Sequence, residues 1–242
     1  MTQPISIVIP VYNEGEAITA CLDQLLAAVD PPVEVLVVHD MPEDTTVPVL
    51  ERYDNAVVLP TLNTYGRGPA NAIRFGLDAA SGDVIVVTMG DGSDDASQIS
   101  EMARLVREGH AIVAASRYMK GGRQVGGPRL KSWLSRAAGV SLYHLARVGT
   151  HDATNSFKAY RAGFVHNSGV ESTAGFEIGI ELVAKARRTR QSVTEIPTTW
   201  NDRDDGESRF DVIGWLPSYL RWYLYAFGRP INSPSVTLSG TA

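Results

Sequence analysis

The chain has little cysteine. Cys21 is the only one, so no disulfide can close within it. That fits a reducing compartment, and a cytoplasmic location is expected. Cys21 falls on the apolar side of a helical run and reads as plain core. There is no basic excess: 22 Lys and Arg against 27 Asp and Glu give a formal net charge of -5. Nucleic-acid binding needs a basic face, so no nucleic-acid partner is expected. No run reaches the roughly 18 apolar residues of a membrane span, and no cationic, apolar leader precedes the strand-like run at Ile5. The expectation is a protein that is soluble or peripheral at the inner face of the membrane. The five histidines are scattered without metal-ligand spacing, and His39 and His151 read as structural. Neither a Gly-x-Ser-x-Gly elbow nor a Walker sequence occurs.

What is present is an ordinary globular composition. With 242 residues and 44% hydrophobic content the chain can bury a substantial core. Its first half alternates short apolar strands with amphipathic helices: strands at Ile5–Ile9, Val33–Val38, Ala56–Leu59 and Asp83–Val87, helices at Gly15–Val29, Thr46–Tyr53 and Pro69–Ala80. Continuous apolar strands alternating with helices predict a parallel sheet covered on both faces. Ligands of such sheets bind at the carboxyl ends of the strands. The second half predicts helices at Ser97–Glu108, Lys131–Ala146, Phe176–Ala186 and Val212–Phe227, and strands at Ala111–Ala115 and Val193–Pro197.

Several polar groups follow strand ends. Gly90-Asp91-Gly92-Ser93-Asp94-Asp95 clusters carboxylates where a hard divalent cation, Mg²⁺ or Mn²⁺, finds oxygen ligands and can bridge to a diphosphate. The competing reading is a solvated turn in which Asp94 and Asp95 cap the next helix. Arg117, Arg136, Arg203 and Arg209 are candidate phosphate holders, since the planar guanidinium suits bidentate contact; each also reads as a surface ion pair. Tyr12-Asn13-Glu14 can face a base or ribose, or Asn13 can cap the first helix. Gly66-Arg67-Gly68 opens a helix whose N-terminus attracts phosphate, although a close-packed turn explains it as well. The aromatic helix 212–227 reads either as a membrane-interface helix or as a packing surface.

Taken in order, these residues resemble a known family. Ile7-Val8-Ile9-Pro10-Val11-Tyr12-Asn13-Glu14 is similar to the opening of inverting family 2 glycosyltransferases, and Val37-Val38-His39-Asp40 to their second-strand acidic pair. Asp83–Asp91 sits where that family has its Asp-x-Asp metal motif. Ala115-Ser116-Arg117-Tyr118, Leu134-Ser135-Arg136, Ser156-Phe157-Lys158, Gly175-Phe176 through Glu181, and Glu195-Ile196-Pro197 through Arg209 follow in the order of the dolichyl- or polyprenyl-phosphate glycosyltransferase branch.

The resemblance implies an α/β GT-A nucleotide-sugar-binding fold with a mostly parallel central sheet. It implies one catalytic domain over about 1–230, with a nucleotide-binding half to about 110, an acceptor half beyond, and a flexible tail at 231–242. The implied reaction moves a sugar from a UDP- or GDP-linked donor to a polyprenyl phosphate with Mg²⁺ or Mn²⁺; a soluble hydroxyl acceptor, with Glu177, Glu181 or Asp152 as base, is the alternative. A third possibility is a non-catalytic nucleotide binder of the same fold. The implied site residues are Asp91, Arg117 and Arg203 for catalysis; Pro10, Tyr12, Glu14, Asp40 and Arg209 for the donor; Ser135, Arg136, Lys158 and Glu181 for the acceptor; and Asp91, Ser93 and Asp94 for the metal. Met89 and His39 stand where the family carries acids, and Lys158 and Arg209 exchange one basic residue for another.

Overall fold

A computed structural model describes residues 3–127, 129–201 and 212–231. Its centre is a seven-stranded sheet in the order β3-β2-β1-β4-β7-β5-β8, formed by Val58–Leu62, Val33–His39, Ile5–Pro10, Val84–Val87, Lys158–Arg161, Ile112–Ser116 and Val193–Pro197. β1, β2, β3 and β4 run parallel, as do β5 and β8. β7 lies antiparallel between β4 and β5, and the sheet is otherwise parallel, in keeping with the mostly parallel sheet expected. β6 (Arg123–Val125) and β9 (Thr199–Asn201) form a separate parallel pair.

Alternation along the strands splits the core in two. Val8, Leu36, Val38, Ile85, Val87 and Tyr160 face one side with helices α3 (Pro69–Ala79), α6 (Ala162–Ser168), α7 (Ile178–Arg188) and α8 (Val212–Tyr225). Ile7, Ile9, Val35, Val37, Val86 and Ala115 face the other with α1 (Ala17–Ala28) and α4 (Ile99–Arg107). Period-two burial on both faces is what makes these strands read as unbroken apolar runs. Gly76 lets α3 lie on the sheet, since a Cβ there would come 2.3 Å from Val8 Cγ1.

Local differences from the sequence reading have local causes. α2 is only Val47–Leu50; beyond it the Arg52 and Tyr53 N–H groups donate three residues back, to Val49 O and Leu50 O, so the run closes in tighter turns. The helix expected from Ser97 starts as a 3₁₀ turn at Ala96–Gln98. α5 (Arg129–Ser141) ends in a π-helical turn at Leu142–Ala146. Asn13 does not cap α1: it has positive φ (55°), and its Oδ1 accepts from the Thr45 N–H. Ile231, placed in the expected tail, is tied to α7 by its N–H, which donates to Arg188 O at 2.8 Å.

Candidate active site

Parallel strands point their carboxyl ends one way, so Pro10, Asp40, the loop after β4 and Arg117 gather at one edge. At β1 the following turn is pinned from below: both Asp44 oxygens accept from the Asn13 N–H (3.0 and 3.1 Å), and Thr46 Oγ1 accepts from Glu14 N–H. This leaves Tyr12 48% exposed at the mouth of the edge.

Asp40, expected at the donor, is tied into the fold on both oxygens. Its Oδ1 accepts from Asn63 Nδ2 and its Oδ2 from the Gly68 N–H, each at 2.7 Å. Asp40 thereby fixes the glycine loop and takes up one backbone donor at the start of α3. His39 is buried, with Nδ1 on Met41 O at 2.9 Å, in keeping with a structural role.

The acid loop folds on itself. Asp91 Oδ1 accepts from Ser93 N–H at 3.0 Å. Asp94 Oδ2 accepts from Thr88 Oγ1 (3.0 Å) and Met89 N–H (3.1 Å), so Met89 contributes only backbone here. Asp95, not Asp94, caps the next turn by accepting from Ser97 N–H. Burial pushes the Asp94 carboxyl up to about 6, the Asp91 charge adds to that, and Arg117 works against it. The loop fits a hard divalent cation: two carboxylates, one of them raised by the other's charge, accompany Ser93 Oγ, which is buried with no hydrogen-bond partner among the described residues. Among the described residues no three acidic, histidine or cysteine side chains are placed so as to hold a metal ion by themselves. The protein would therefore supply a partial oxygen set and leave positions for diphosphate and water, which suits Mg²⁺ or Mn²⁺.

Arg117 is nearly enclosed. Its Nε and Nη2 donate to Asp152 at 2.7 and 2.9 Å, and its own N–H adds a third bond at 3.1 Å. Asp152 is fully buried. Burial opposes both charges, but each holds the other: Asp152 keeps the guanidinium above its ordinary pKa, and Arg117 keeps the carboxyl below its own. Arg117 Nη2 also reaches Ser135 Oγ at 3.3 Å. Ser135 in turn bonds Tyr118 OH (3.0 Å) and Thr154 Oγ1 (2.5 Å). Arg136 is exposed on the same helix, and its charge is felt at Tyr118.

Two of the residues assigned to the acceptor stand elsewhere. Lys158 is fully buried on β7, with Nζ on backbone carbonyls. Glu181 is fully buried in α7; its oxygens accept from Glu171 and Ser172 N–H at 2.7 and 2.9 Å, and Lys185 pairs with it. Neither can touch an acceptor. The side chains of Arg203 and Arg209 lie outside the described residues, and β9 ends just before them at Asn201. Sequence reasoning missed that Asp152 is the partner of Arg117. The only cue was its place at the start of the Asp152–Arg161 segment.

An acid loop after one strand and an arginine after another meet at this edge of a fold whose solved neighbours are glycosyltransferases of the GT-A class. The match to Glycosyl transferase family 2 covers residues 6–169. The chain belongs to that family and is a glycosyltransferase. It is 30% identical over 217 residues to polyprenol monophosphomannose synthase of Mycolicibacterium smegmatis, covering 86% of this chain and 81% of that protein. It is 30% identical over 233 residues to dolichol-phosphate mannosyltransferase of Pyrococcus furiosus, covering 90% of this chain and 64% of that protein. The fold also matches glucosyl-3-phosphoglycerate synthase of Mycobacterium tuberculosis, solved with Mn²⁺, UDP and phosphoglyceric acid (TM-score 0.65, 18% identity, 95% of this chain and 80% of that one).

Proposed function

We propose that this chain transfers a sugar, a mannosyl group by analogy with its relatives, from a UDP- or GDP-linked donor to a polyprenyl phosphate with inversion. The observation that carries this reading is the state of the three candidate bases among the described residues, Asp152, Glu177 and Glu181. A hydroxyl acceptor needs a carboxylate base. Asp152 is spent on Arg117. Glu177 accepts from Ala174 and Gly175 N–H at 3.0 and 2.6 Å. Glu181 is spent on the backbone of 171–172. A phosphate acceptor is already anionic and needs none of them.

Asp91, Asp94 and Ser93 would hold the divalent cation, which when bound offsets charge on the departing diphosphate. Arg117, oriented by Asp152, presents a fixed guanidinium toward the same edge, and Ser135 and Arg136 flank it. Fixed donors of this kind act on developing charge without reorganising. Tyr12 and Glu14, on a turn pinned by Asp44 and Thr46, would line the donor's base and ribose. One catalytic unit over about 1–230 accords with a sheet that takes strands from both halves.

Helix α8 supports a peripheral membrane contact. Its inner side is anchored by Trp222, whose Nε1 donates to Ser172 Oγ at 2.9 Å. Its outer side leaves Leu216, Leu220 and Leu224 50–60% exposed at four-residue spacing. No described helix is long and apolar enough to cross a membrane.

The test is thermal unfolding against UDP- and GDP-sugars with and without Mn²⁺, beside Asp91→Asn. A ligand at 100 times its Kd adds about 2.7 kcal/mol. Metal-dependent stabilisation by one nucleotide, lost in Asp91→Asn, supports the donor site. Transfer of label from that donor to a polyprenyl phosphate, and not to soluble sugars, supports the acceptor. No stabilisation by any nucleotide refutes the reading.

A further inference from the structure

Lys158 lies behind the Arg117–Asp152 pair with no exposed surface. Its Nζ donates to Ala153 O at 3.2 Å and to Asn155 O. The turn it grips is the one that carries Asp152, whose Oδ1 accepts from Asn155 N–H at 3.2 Å. Asn155 Nδ2 then donates to Ala115 O at 2.9 Å, on the strand that delivers Arg117. Helix α7 closes over the ammonium at Gly179: a Cβ there would sit 3.2 Å from Nζ and 3.0 Å from Asn155 O. A lysine in this slot reaches neither donor nor acceptor.

Its charge matters nonetheless. Asp152 neutralises Arg117, and an arginine so matched has little left for an anion. Burial pushes the Lys158 ammonium down to about 7, the Asp152 charge holds it up, and Arg117 opposes it. When protonated, Lys158 in turn offsets part of the Asp152 charge, and Arg117 keeps more of its attraction for an incoming anion.

We propose that Lys158 is a positioning residue, a buried ammonium that clamps the 152–155 turn and offsets Asp152 so that Arg117 stays fixed and available to phosphate. This rests on the transferase reading above. The experiment compares Lys158→Met, Lys158→Gln and Lys158→Arg, in native and Arg117→Ala backgrounds. Melting temperature is measured first, then kcat and KM with the donor selected by the nucleotide-sugar panel and a short-chain polyprenyl phosphate. Gln keeps a donor toward the carbonyls but no charge; Arg keeps the charge. We expect both uncharged variants to lose at least about tenfold in kcat with donor KM nearly unchanged, as misplacement of one catalytic group does. Lys158→Arg should recover most of that loss. In Arg117→Ala, adding Lys158→Met should cost less than about twofold, because the two act as one unit. Native kcat in Lys158→Gln, or a full further loss in the Arg117→Ala background, overturns the proposal. If Lys158→Met does not fold, Lys158→Gln carries the comparison. If the native chain turns over no donor at all, it is the transferase reading that fails.

Discussion

Replacing Asp152 by Asn tests the central pair directly. Asp152 has no exposed surface, and Arg117 retains only 12% side-chain exposure. Three N–H groups of Arg117 and the Asn155 N–H converge on the two carboxylate oxygens. An amide can accept on one side only. Its NH₂ would face donors on the other, and the guanidinium would lose its counter-charge in a place water barely reaches. Removing one partner of a buried ion pair costs about 3–5 kcal/mol, a large part of the roughly 5–15 kcal/mol that holds a domain together. Urea unfolding should show the midpoint falling with an unchanged slope, and the melting temperature should drop on the order of 10 °C. The loss should be insensitive to salt, since the pair is hardly screened. The control is Glu16→Gln, which breaks an Arg52 pair with side-chain exposures of 63% and 77% and should cost less than about 0.5 kcal/mol. If Asp152→Asn unfolds within about 1 kcal/mol of the native protein, solvent meets the Arg117 charge and the pair is not what fixes it.

Asp94→Asn should have a pH signature. Burial raises the folded carboxyl from 3.8 to about 6. Its stabilising contribution is therefore present below pH 3.8 and lost as pH rises through 6. The variant should be more stable than the native protein above pH 6, by no more than about 3 kcal/mol because the group keeps some water contact, and the difference should vanish near pH 4. Unfolding curves at the two pH values decide it, and an equal gap at both refutes the burial argument. Leu216→Ser, Leu220→Ser and Leu224→Ser combined should abolish flotation with anionic vesicles while leaving the melting temperature within a few degrees, since all three are at least half exposed; no flotation of the native chain rules out the membrane contact.

Much of the fold was legible because both faces of β1, β4 and most of β2 are buried, which writes them as apolar runs. β7 was not legible: Lys-Ala-Tyr-Arg has no strand pattern, and its buried lysine is tolerated only because carbonyls of the preceding turn meet it. Asp91, Asp94 and Arg117 were put forward from their places after strands, and Ser135 from the family resemblance alone. Glu181 and Lys158 were assigned to the acceptor because a linear motif does not say which way a side chain points. A charged side chain on a strand or helix can face backbone donors inside the protein as readily as a ligand outside it. Asp40 shows the same limit at short range, since its partner Gly68 lies on a loop 28 residues away.

The antiparallel strand has a consequence for how the protein is made. β4 ends at Val87, but its neighbour β7 begins only at Lys158, and β5 reaches the sheet only through β7. A ribosome that has released the first 110 residues has produced four strands with one flank still unpaired. That flank, at apolar Val84–Val87, stays a template for any passing strand until some fifty more residues emerge beyond it. Arg117 cannot be locked earlier, because Asp152 arrives with the same segment. Assembly of the catalytic edge and sealing of the sheet are thus a single late event in biosynthesis, and nascent chains truncated before residue 161 should be the ones that aggregate or recruit chaperones.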